Sequence, residues 1–167
     1  TKVVMVRGPK SRRKLLDLGI ECPDHYGDPL VLFPCIYEEK TTIRDDVVGI
    51  VPHYTDKMSA NINKLKHSLL DNNYKVNIIN IEVGTNYQQL IEEINKCKWI
   101  ISSSLHGVIM GIVYRKLTIH LEFSNNIIGG NFKFDDFSAM IRGTNLTEVN
   151  KHRNFLVAMH MTYGVDE

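Results

Sequence analysis

The chain has 167 residues, of which 43% are hydrophobic and 23% are charged, and its formal net charge is +1 at pH 7. This composition predicts a soluble globular protein with a sizeable core and excludes a disordered tail. The net charge gives no reason to expect nucleic-acid binding. No apolar run approaches the ~20 residues of a membrane span. The three cysteines are an odd number without a C-x-x-C pair, which favours reduced thiols and a cytoplasmic location.

The first part of the chain predicts one strand, one helix and a long irregular stretch. Residues 3–6 form a short β-branched run that is typical of a strand. Ser11 is expected to cap a helix that runs to about Leu18 and stops at Gly19. Residues 20–46 contain three prolines around one apolar run and are expected to be irregular.

From residue 47 onward, short apolar runs alternate with amphipathic segments. Strands are predicted at 47–51, 74–81, 98–102 and 117–121, and helices at 56–71, 87–95, 105–114 and 147–161. The first two of these helices are expected to turn apolar residues inward, namely Met58, Ile62, Leu65 and Leu69, then Leu90, Ile91 and Ile94. A Gly129-Gly130 turn and a mixed segment over 132–141 precede the last helix. The alternation predicts an α/β fold with helices on both faces of a parallel sheet, in a single domain over residues 1–167.

The turn after the strand at 98–102 carries the strongest functional signal. Ser102, Ser103 and Ser104 precede Leu105-His106-Gly107, where a strand is expected to pass into a helix. The free N–H groups and positive potential of a helix amino terminus attract anions, and open α/β sheets bind ligands at the carboxyl ends of their strands. The sequence therefore predicts an anion site with His106 as its acid or base.

A structural interpretation of the same turn stays open. Ser104 would then cap the helix, and Gly107 with Gly111 would let that helix lie close to the sheet. His106 would be a polar residue at the helix start without a chemical role.

Two further strand ends carry cationic or titratable side chains. Arg7 follows the first predicted strand, where a guanidinium can bind a carboxylate or phosphate in bidentate fashion. His53 follows the strand at 47–51, and Asp56 is expected to cap the next helix. Each residue alone is compatible with a solvated surface position, but strand ends of a parallel sheet meet at one edge, so Arg7, His53 and His106 are expected to converge. No metal-ligand, Walker or dinucleotide motif occurs, so neither a metal nor a cofactor is predicted.

Seven short motifs in order resemble those of the polysaccharide pyruvyl transferases, especially the bacterial exopolysaccharide (succinoglycan-type) enzymes and viral relatives. They span nearly the whole chain, and together they are far more specific than any one of them. The motifs are Val6-Arg7-Gly8-Pro9 with Ser11, Leu18-Gly19-Ile20, Gly27-Asp28-Pro29, Gly49-Ile50-Val51-Pro52-His53-Tyr54, Ile101-Ser102-Ser103-Ser104-Leu105-His106-Gly107, Leu121-Glu122 and Phe132-Lys133-Phe134-Asp135-Asp136.

The resemblance implies a Rossmann-like three-layer α/β/α parallel sheet, equivalent to the C-terminal lobe of a two-domain enzyme similar to GT-B glycosyltransferases. Members of the family transfer the carbon skeleton of phosphoenolpyruvate to sugar hydroxyls as a pyruvate ketal. The implied partners are therefore phosphoenolpyruvate and a sugar or oligosaccharide acceptor. Because the chain starts at Thr1 and not at Met, we expect it to be a piece of a longer product whose other lobe precedes it.

The same resemblance implies roles for the candidate residues. His106 would transfer the proton, and His53 would be a further catalytic residue. The phosphoenolpyruvate-binding residues that it implies are Arg7, Ser102, Ser103, Ser104, Leu105 and Gly107. Some members carry Arg where this chain has Ser104, so anion binding here would depend more on Arg7, the serine hydroxyls and backbone N–H groups.

Two other functions fit part of the pattern. A GT-B glycosyltransferase lobe would hold the diphosphate of a sugar nucleotide at the same sheet edge, although the acidic pair that retaining members often present is missing. A non-catalytic Rossmann-like binding module would bind anions weakly and without preference. Binding of phosphoenolpyruvate against sugar nucleotides distinguishes the three.

Overall fold

The computed structural model describes residues 2–37, 44–82, 84, 86–124 and 130–141. Contacts group the described residues into two compact units: a terminal unit of residues 2–27 and 134–141, and a central unit of the described residues between Asp28 and Lys133. The single domain over residues 1–167 stays a prediction. None of the described helices combines the length and the apolar composition needed to cross a bilayer.

The described residues form six α-helices and four strands. In chain order they are α1 (Pro9–Asp17), α2 (Phe33–Ile36), β1 (Arg44–Val51), α3 (Ala60–Asp71), β2 (Lys75–Ile78), α4 (Tyr87–Lys96), β3 (Cys97–Ser102), α5 (Leu105–Val113), β4 (Leu117–His120) and α6 (Phe132–Ile141). Two short 3₁₀ turns lie at Pro29–Leu32 and Tyr54–Asp56. The helix predicted at 147–161 and the first glycine of the predicted turn, Gly129, lie outside the described residues.

The described strands of the central unit form an all-parallel sheet in the order β2-β1-β3-β4. The chain leaves β1 toward β2 on one side and returns to β3 on the other, so the strand order reverses between β1 and β3. Open α/β sheets bind ligands at such a reversal, outside the carboxyl ends of the strands. The register pairs Val51 with Ser102, and Ser102 with His120, so β1, β3 and β4 end level with one another. This sheet and its helices confirm the predicted α/β, Rossmann-like fold class.

Apolar residues of the predicted strands and helices form the core of the central unit. Val48 and Ile50 of β1 and Ile100 and Ile101 of β3 have no exposed surface. The inward faces predicted for α3 and α4 are confirmed for all residues within those helices, namely Ile62, Leu65, Leu69, Leu90, Ile91 and Ile94. Burying side chains of this size is worth about 1.5–3 kcal/mol each, which makes the sheet a rigid support for the turns at its edge.

Met58 is the one residue of the predicted inward faces that is exposed, with 95% of its surface accessible. Helix α3 begins at Ala60 because Ser59 is its N-cap, with Oγ accepting a hydrogen bond from the Asn61 N–H at 3.3 Å. Met58 therefore precedes the helix, and both the predicted start at 56 and the predicted burial of Met58 were wrong.

In the terminal unit, the strand predicted at 3–6 is reduced to a single parallel bridge between Val6 and Tyr26. The Val6 N–H donates to the His25 carbonyl at 3.2 Å, and the Gly27 N–H donates to the Val6 carbonyl at 3.0 Å. Val4 is 68% exposed. Because this run is mostly exposed, its β propensity alone does not extend the bridge into a strand.

Helix α1 begins at Pro9 with Gly8 as its N-cap, so the predicted capping role of Ser11 was wrong. The N–H groups of Lys10 and Ser11 donate to Asp136 Oδ1 at 2.8 and 3.0 Å, and Ser11 Oγ donates to Asp136 Oδ2 at 2.5 Å. The buried Asp136 carboxylate thus does what an N-cap side chain normally does. A Cβ at Gly8 would lie 2.2 Å from the Asp136 carbonyl oxygen, so this contact requires glycine.

Three other local predictions are decided by the structure. Gly19, with φ +73°, ends α1 as expected. The stretch 20–46, expected to be irregular, contains the 3₁₀ turn at Pro29–Leu32 and the short helix α2. The segment 132–141, expected to be mixed, is helix α6, whose Phe134 and Phe137 are buried.

Candidate active site

The turns after β1 and β3 meet at the point where the strand order reverses. Val51 and Ser102 are register partners at the ends of the two strands. One residue further on, the main-chain N–H of His53 donates to Ser103 Oγ at 2.9 Å. The structure therefore brings His53 and the turn at 102–107 together at the carboxyl edge of the central sheet.

Ser102 holds the two strand ends together. Its side chain is completely buried. Its Oγ lies 2.7 Å from the Val51 carbonyl oxygen and 2.9 Å from the Ser104 carbonyl oxygen, and it accepts a hydrogen bond from the Ser104 N–H at 3.0 Å. These partners favour a role in shaping the turn, and direct anion binding by this hydroxyl stays a prediction.

Ser103 is also completely buried and connects His53 to an acidic residue. Its Oγ accepts from the His53 N–H and donates to Asp56 Oδ2 at 2.5 Å. Contact between the Ser103 hydroxyl and an anion likewise stays a prediction.

Asp56 was expected to cap α3, but it lies in the 3₁₀ turn at Tyr54–Asp56 and is 1% exposed. Its Oδ2 accepts from Ser103, its Oδ1 accepts from the Ser124 hydroxyl, and its N–H donates to the His53 carbonyl at 2.8 Å. The capping prediction was wrong because the true cap, Ser59, follows the turn. Sequence reasoning missed this role of Asp56 and missed Ser124 altogether, since no local pattern indicates contacts between the ends of different strands.

The amino terminus of α5 carries His106. Ser104 occupies the N-cap position, but its side chain makes no capping hydrogen bond. The first helical hydrogen bond runs from the Val108 N–H to the Ser104 carbonyl at 3.0 Å, so the N–H groups of residues 105–107 precede the helical ladder. His106 is exposed and Leu105 is buried. The start of α5 therefore presents main-chain donors beside an accessible imidazole.

Gly107 lets α5 lie directly on the sheet. A Cβ at this position would be 2.3 Å from Ser102 Oγ and 2.7 Å from Val51 Cγ1. Gly111, one turn later, would place a Cβ 2.3 Å from Thr118 Oγ1. The close packing expected from these two glycines is confirmed. It sets the distance between the amino terminus of α5 and the ends of the strands. A role of Gly107 in substrate binding stays a prediction.

His53 is half-buried, and its surroundings favour the neutral imidazole. Its Nδ1 accepts from the Thr55 N–H at 3.4 Å and lies 2.8 Å from Thr55 Oγ1, an arrangement that favours the tautomer with the ring proton on Nε2. Burial, followed by the positive charge of Lys133, lowers the pKa of His53. The neutral ring therefore offers an N–H donor at Nε2.

His120 lies at the end of β4, in register with Ser102. Burial lowers the pKa of His120, the negative charge of Glu122 acts in the opposite sense, and the positive charge of Lys133 lowers it further. The structure adds it to the titratable groups of this sheet edge.

Arg7 belongs to the terminal unit, where it follows the bridge residue Val6 and is partly buried. The amino terminus of α1 behind it is occupied by the Asp136 carboxylate. Arg7 as a ligand of the substrate, and its convergence with His106, stay predictions. Among the described residues, no three His, Cys, Asp or Glu side chains are grouped as metal ligands would be.

Comparison with known proteins identifies the family. The family model of the polysaccharide pyruvyl transferases matches residues 1–125, which include Arg7, His53 and the whole turn at 102–107. No curated protein and no solved structure gives a match to the chain. A match over 125 of 167 residues covers most of the chain and every candidate site residue. The chain therefore belongs to the polysaccharide pyruvyl transferase family.

Proposed function

We propose that this chain binds phosphoenolpyruvate and takes part in its transfer, as a pyruvate ketal, to a sugar of a polysaccharide. Membership of the family supports a transferase with a polysaccharide acceptor. The observation that supports the choice of donor is the start of α5, which lacks a side-chain cap and carries His106 three residues after Ser103, the residue whose hydroxyl binds the His53 main chain. Main-chain donors for an anion and a group able to deliver a proton then lie together.

The anionic groups of phosphoenolpyruvate suit this edge of the sheet. The N–H groups of residues 105–107 and the helix dipole would stabilise a phosphate or carboxylate. The neutral His53 would donate a hydrogen bond from Nε2 to a second oxygen of the same molecule. The hydroxyls of Ser102 and Ser103 would hold the turns after β1 and β3 in place through their hydrogen bonds.

The proposed reaction begins with proton transfer from His106. Protonated His106 gives its proton to the methylene carbon of phosphoenolpyruvate, which leaves an oxocarbenium-like centre at C2. A sugar hydroxyl attacks C2 and loses its proton to the now neutral imidazole. The C2–O bond to phosphate then breaks, a second sugar hydroxyl attacks the same carbon and closes the ketal, and its proton leaves with the phosphate.

Calorimetric titration of the chain tests the choice of donor. We expect phosphoenolpyruvate to bind with measurable heat, and UDP- and GDP-sugars to bind at least about tenfold more weakly, because the proposed site suits a small molecule with a phosphate and a carboxylate. A preference for a sugar nucleotide would favour the glycosyltransferase interpretation instead. Equally weak binding of all anions would favour a non-catalytic module.

A further inference from the structure

Asp56 is the buried centre of a hydrogen-bond network beneath the proposed site. Its carboxylate is 1% exposed, and both of its oxygens accept hydrogen bonds from serine hydroxyls. A buried carboxylate is costly unless it is well solvated by such donors. Its presence here therefore needs an explanation beyond local turn geometry.

One carboxylate oxygen of Asp56, Oδ2, affects the position of His53 through the Ser103 hydroxyl. Ser103 Oγ donates to Asp56 Oδ2 at 2.5 Å and accepts from the His53 N–H at 2.9 Å. The Ser103 hydroxyl has a single proton, which it donates to Asp56 in a hydrogen bond. The lone pairs of the Ser103 oxygen are therefore left to accept from the His53 N–H. The carboxylate thus fixes the direction of the hydroxyl that holds the His53 main chain.

The other carboxylate oxygen, Oδ1, connects Asp56 to the segment that follows β4, because it accepts a hydrogen bond from the Ser124 hydroxyl. The carbonyl of the adjacent Phe123 accepts from Ser59 Oγ at 2.8 Å and from Asn61 Nδ2 at 3.1 Å, both at the start of α3. Asp56 therefore lies where the segments that follow β1, β3 and β4 meet.

We propose that Asp56 is the positioning residue of this site: through Ser103 it holds His53 at a fixed place beside the amino terminus of α5. The expected effect on phosphoenolpyruvate binding rests on the proposed function. The expected effect on His53 rests only on the contacts described above. Asparagine cannot replace the carboxylate, because its amide offers one acceptor and one donor where two acceptors are required.

Removal of the Asp56 charge also has an electrostatic consequence. Among the residues that the structure describes, Asp56 and Glu82 raise the pKa of His53 through their negative charges, and Lys133 and His106 lower it through their positive charges. Asp56→Asn removes the first of these negative charges. We expect the pKa of His53 to fall further, a shift that a loss of stability alone does not produce.

The test combines nuclear magnetic resonance of the histidine rings with calorimetry, on the whole chain. For Asp56→Asn we expect a lower His53 pKa and faster hydrogen exchange of the His53 amide. We also expect phosphoenolpyruvate to bind about tenfold more weakly or worse, since a binding group that is out of position loses much of its effect. Ser103→Ala keeps the charge, so it should speed exchange of the His53 amide without lowering the His53 pKa to the same extent.

Asp136→Asn is the matched control, because Asp136 is equally buried and also accepts a serine hydroxyl at 2.5 Å. It should lower the free energy of unfolding while the titration and amide exchange of His53 stay as in the wild type. Unchanged His53 exchange and titration in Asp56→Asn, or equal changes in Asp136→Asn, would overturn the proposal. If the wild type binds no phosphoenolpyruvate, the proposed function fails, and the His53 measurements still decide the role of Asp56.

Discussion

His106 and His53 lie at one sheet edge in different surroundings, and this difference separates their proposed roles. His106 is exposed at the start of α5, and in the proposed function it transfers a proton to the substrate. His53 is half-buried, has its Nδ1 engaged by Thr55, and has a pKa lowered by burial. An accessible group suits proton transfer, and a neutral ring held in place suits hydrogen bonding.

Replacing His106 with asparagine should slow transfer without unfolding the protein. Under the proposed function we expect the rate of phosphate release from phosphoenolpyruvate, in the presence of the acceptor, to fall by about 10²–10⁴-fold, the usual contribution of one general acid. His67→Asn, an exposed histidine on α3, is the matched control and should retain the wild-type rate. Near-normal turnover of His106→Asn would remove the role proposed for it.

At the scale of the helix, α1 and α5 start in different ways. Helix α1 has its first N–H groups bound by the Asp136 carboxylate, so an internal anion already satisfies them. Helix α5 has Ser104 at its N-cap without a side-chain hydrogen bond. Both starts follow a predicted strand end in the sequence, but only the start of α5 keeps its donors for an external anion in the proposed function.

Loss of the Asp136 side chain should destabilise the terminal unit. For Asp136→Ala we expect the free energy of unfolding to fall by about 1–2 kcal/mol or more, because the loss of an N-cap acceptor leaves helix donors without their partner. Chemical denaturation followed by circular dichroism measures this. Asp135→Ala is the neighbouring control: Asp135 makes an exposed ion pair with Lys10 at 2.7 Å, and such pairs contribute little. Equal losses in the two variants would contradict the capping role.

At the scale of the whole molecule, two histidines of the central sheet edge couple stability to pH. Burial is the main cause that lowers the pKa of both His53 and His120 below the ordinary value of 6.5. At pH values below about 6.5, the unfolded chain therefore binds more protons than the folded chain. Stability is therefore lost as the pH falls from about 6.5 toward the lowered pKa values of the folded state, and the loss stays constant below them.

We expect the free energy of unfolding to be higher at pH 7.5 than at about pH 5.5, as measured by urea denaturation. His120→Gln should reduce this difference, because it removes one of the two groups that must stay neutral in the folded state. The urea dependence of unfolding should be the same at both pH values, which shows that the same surface is exposed. A free energy that stays constant or rises toward acid would contradict the assignment.

Much of the central fold is readable from local sequence pattern. Apolar runs and helical spacing predict β1, α4, β3, α5 and β4 to within a few residues, because burial on one face imposes a periodicity that neighbours in sequence share. Start signals are less reliable. Asp56 and Ser59 are both good N-caps, and Ser11 competes with Gly8, so the helix starts could not be chosen from residue type alone.

The sequence by itself determined the order of strands and helices from β1 to β4, the buried faces of α3 and α4, and the placement of His53 and His106 after parallel strands. The tertiary structure alone decided what the two buried aspartates do. Asp56 meets Ser103 and Ser124 across 47 and 68 residues of chain, and Asp136 meets Ser11 across 125. Such contacts depend on which strand ends and helix ends the fold brings together, and no periodicity along the chain encodes them.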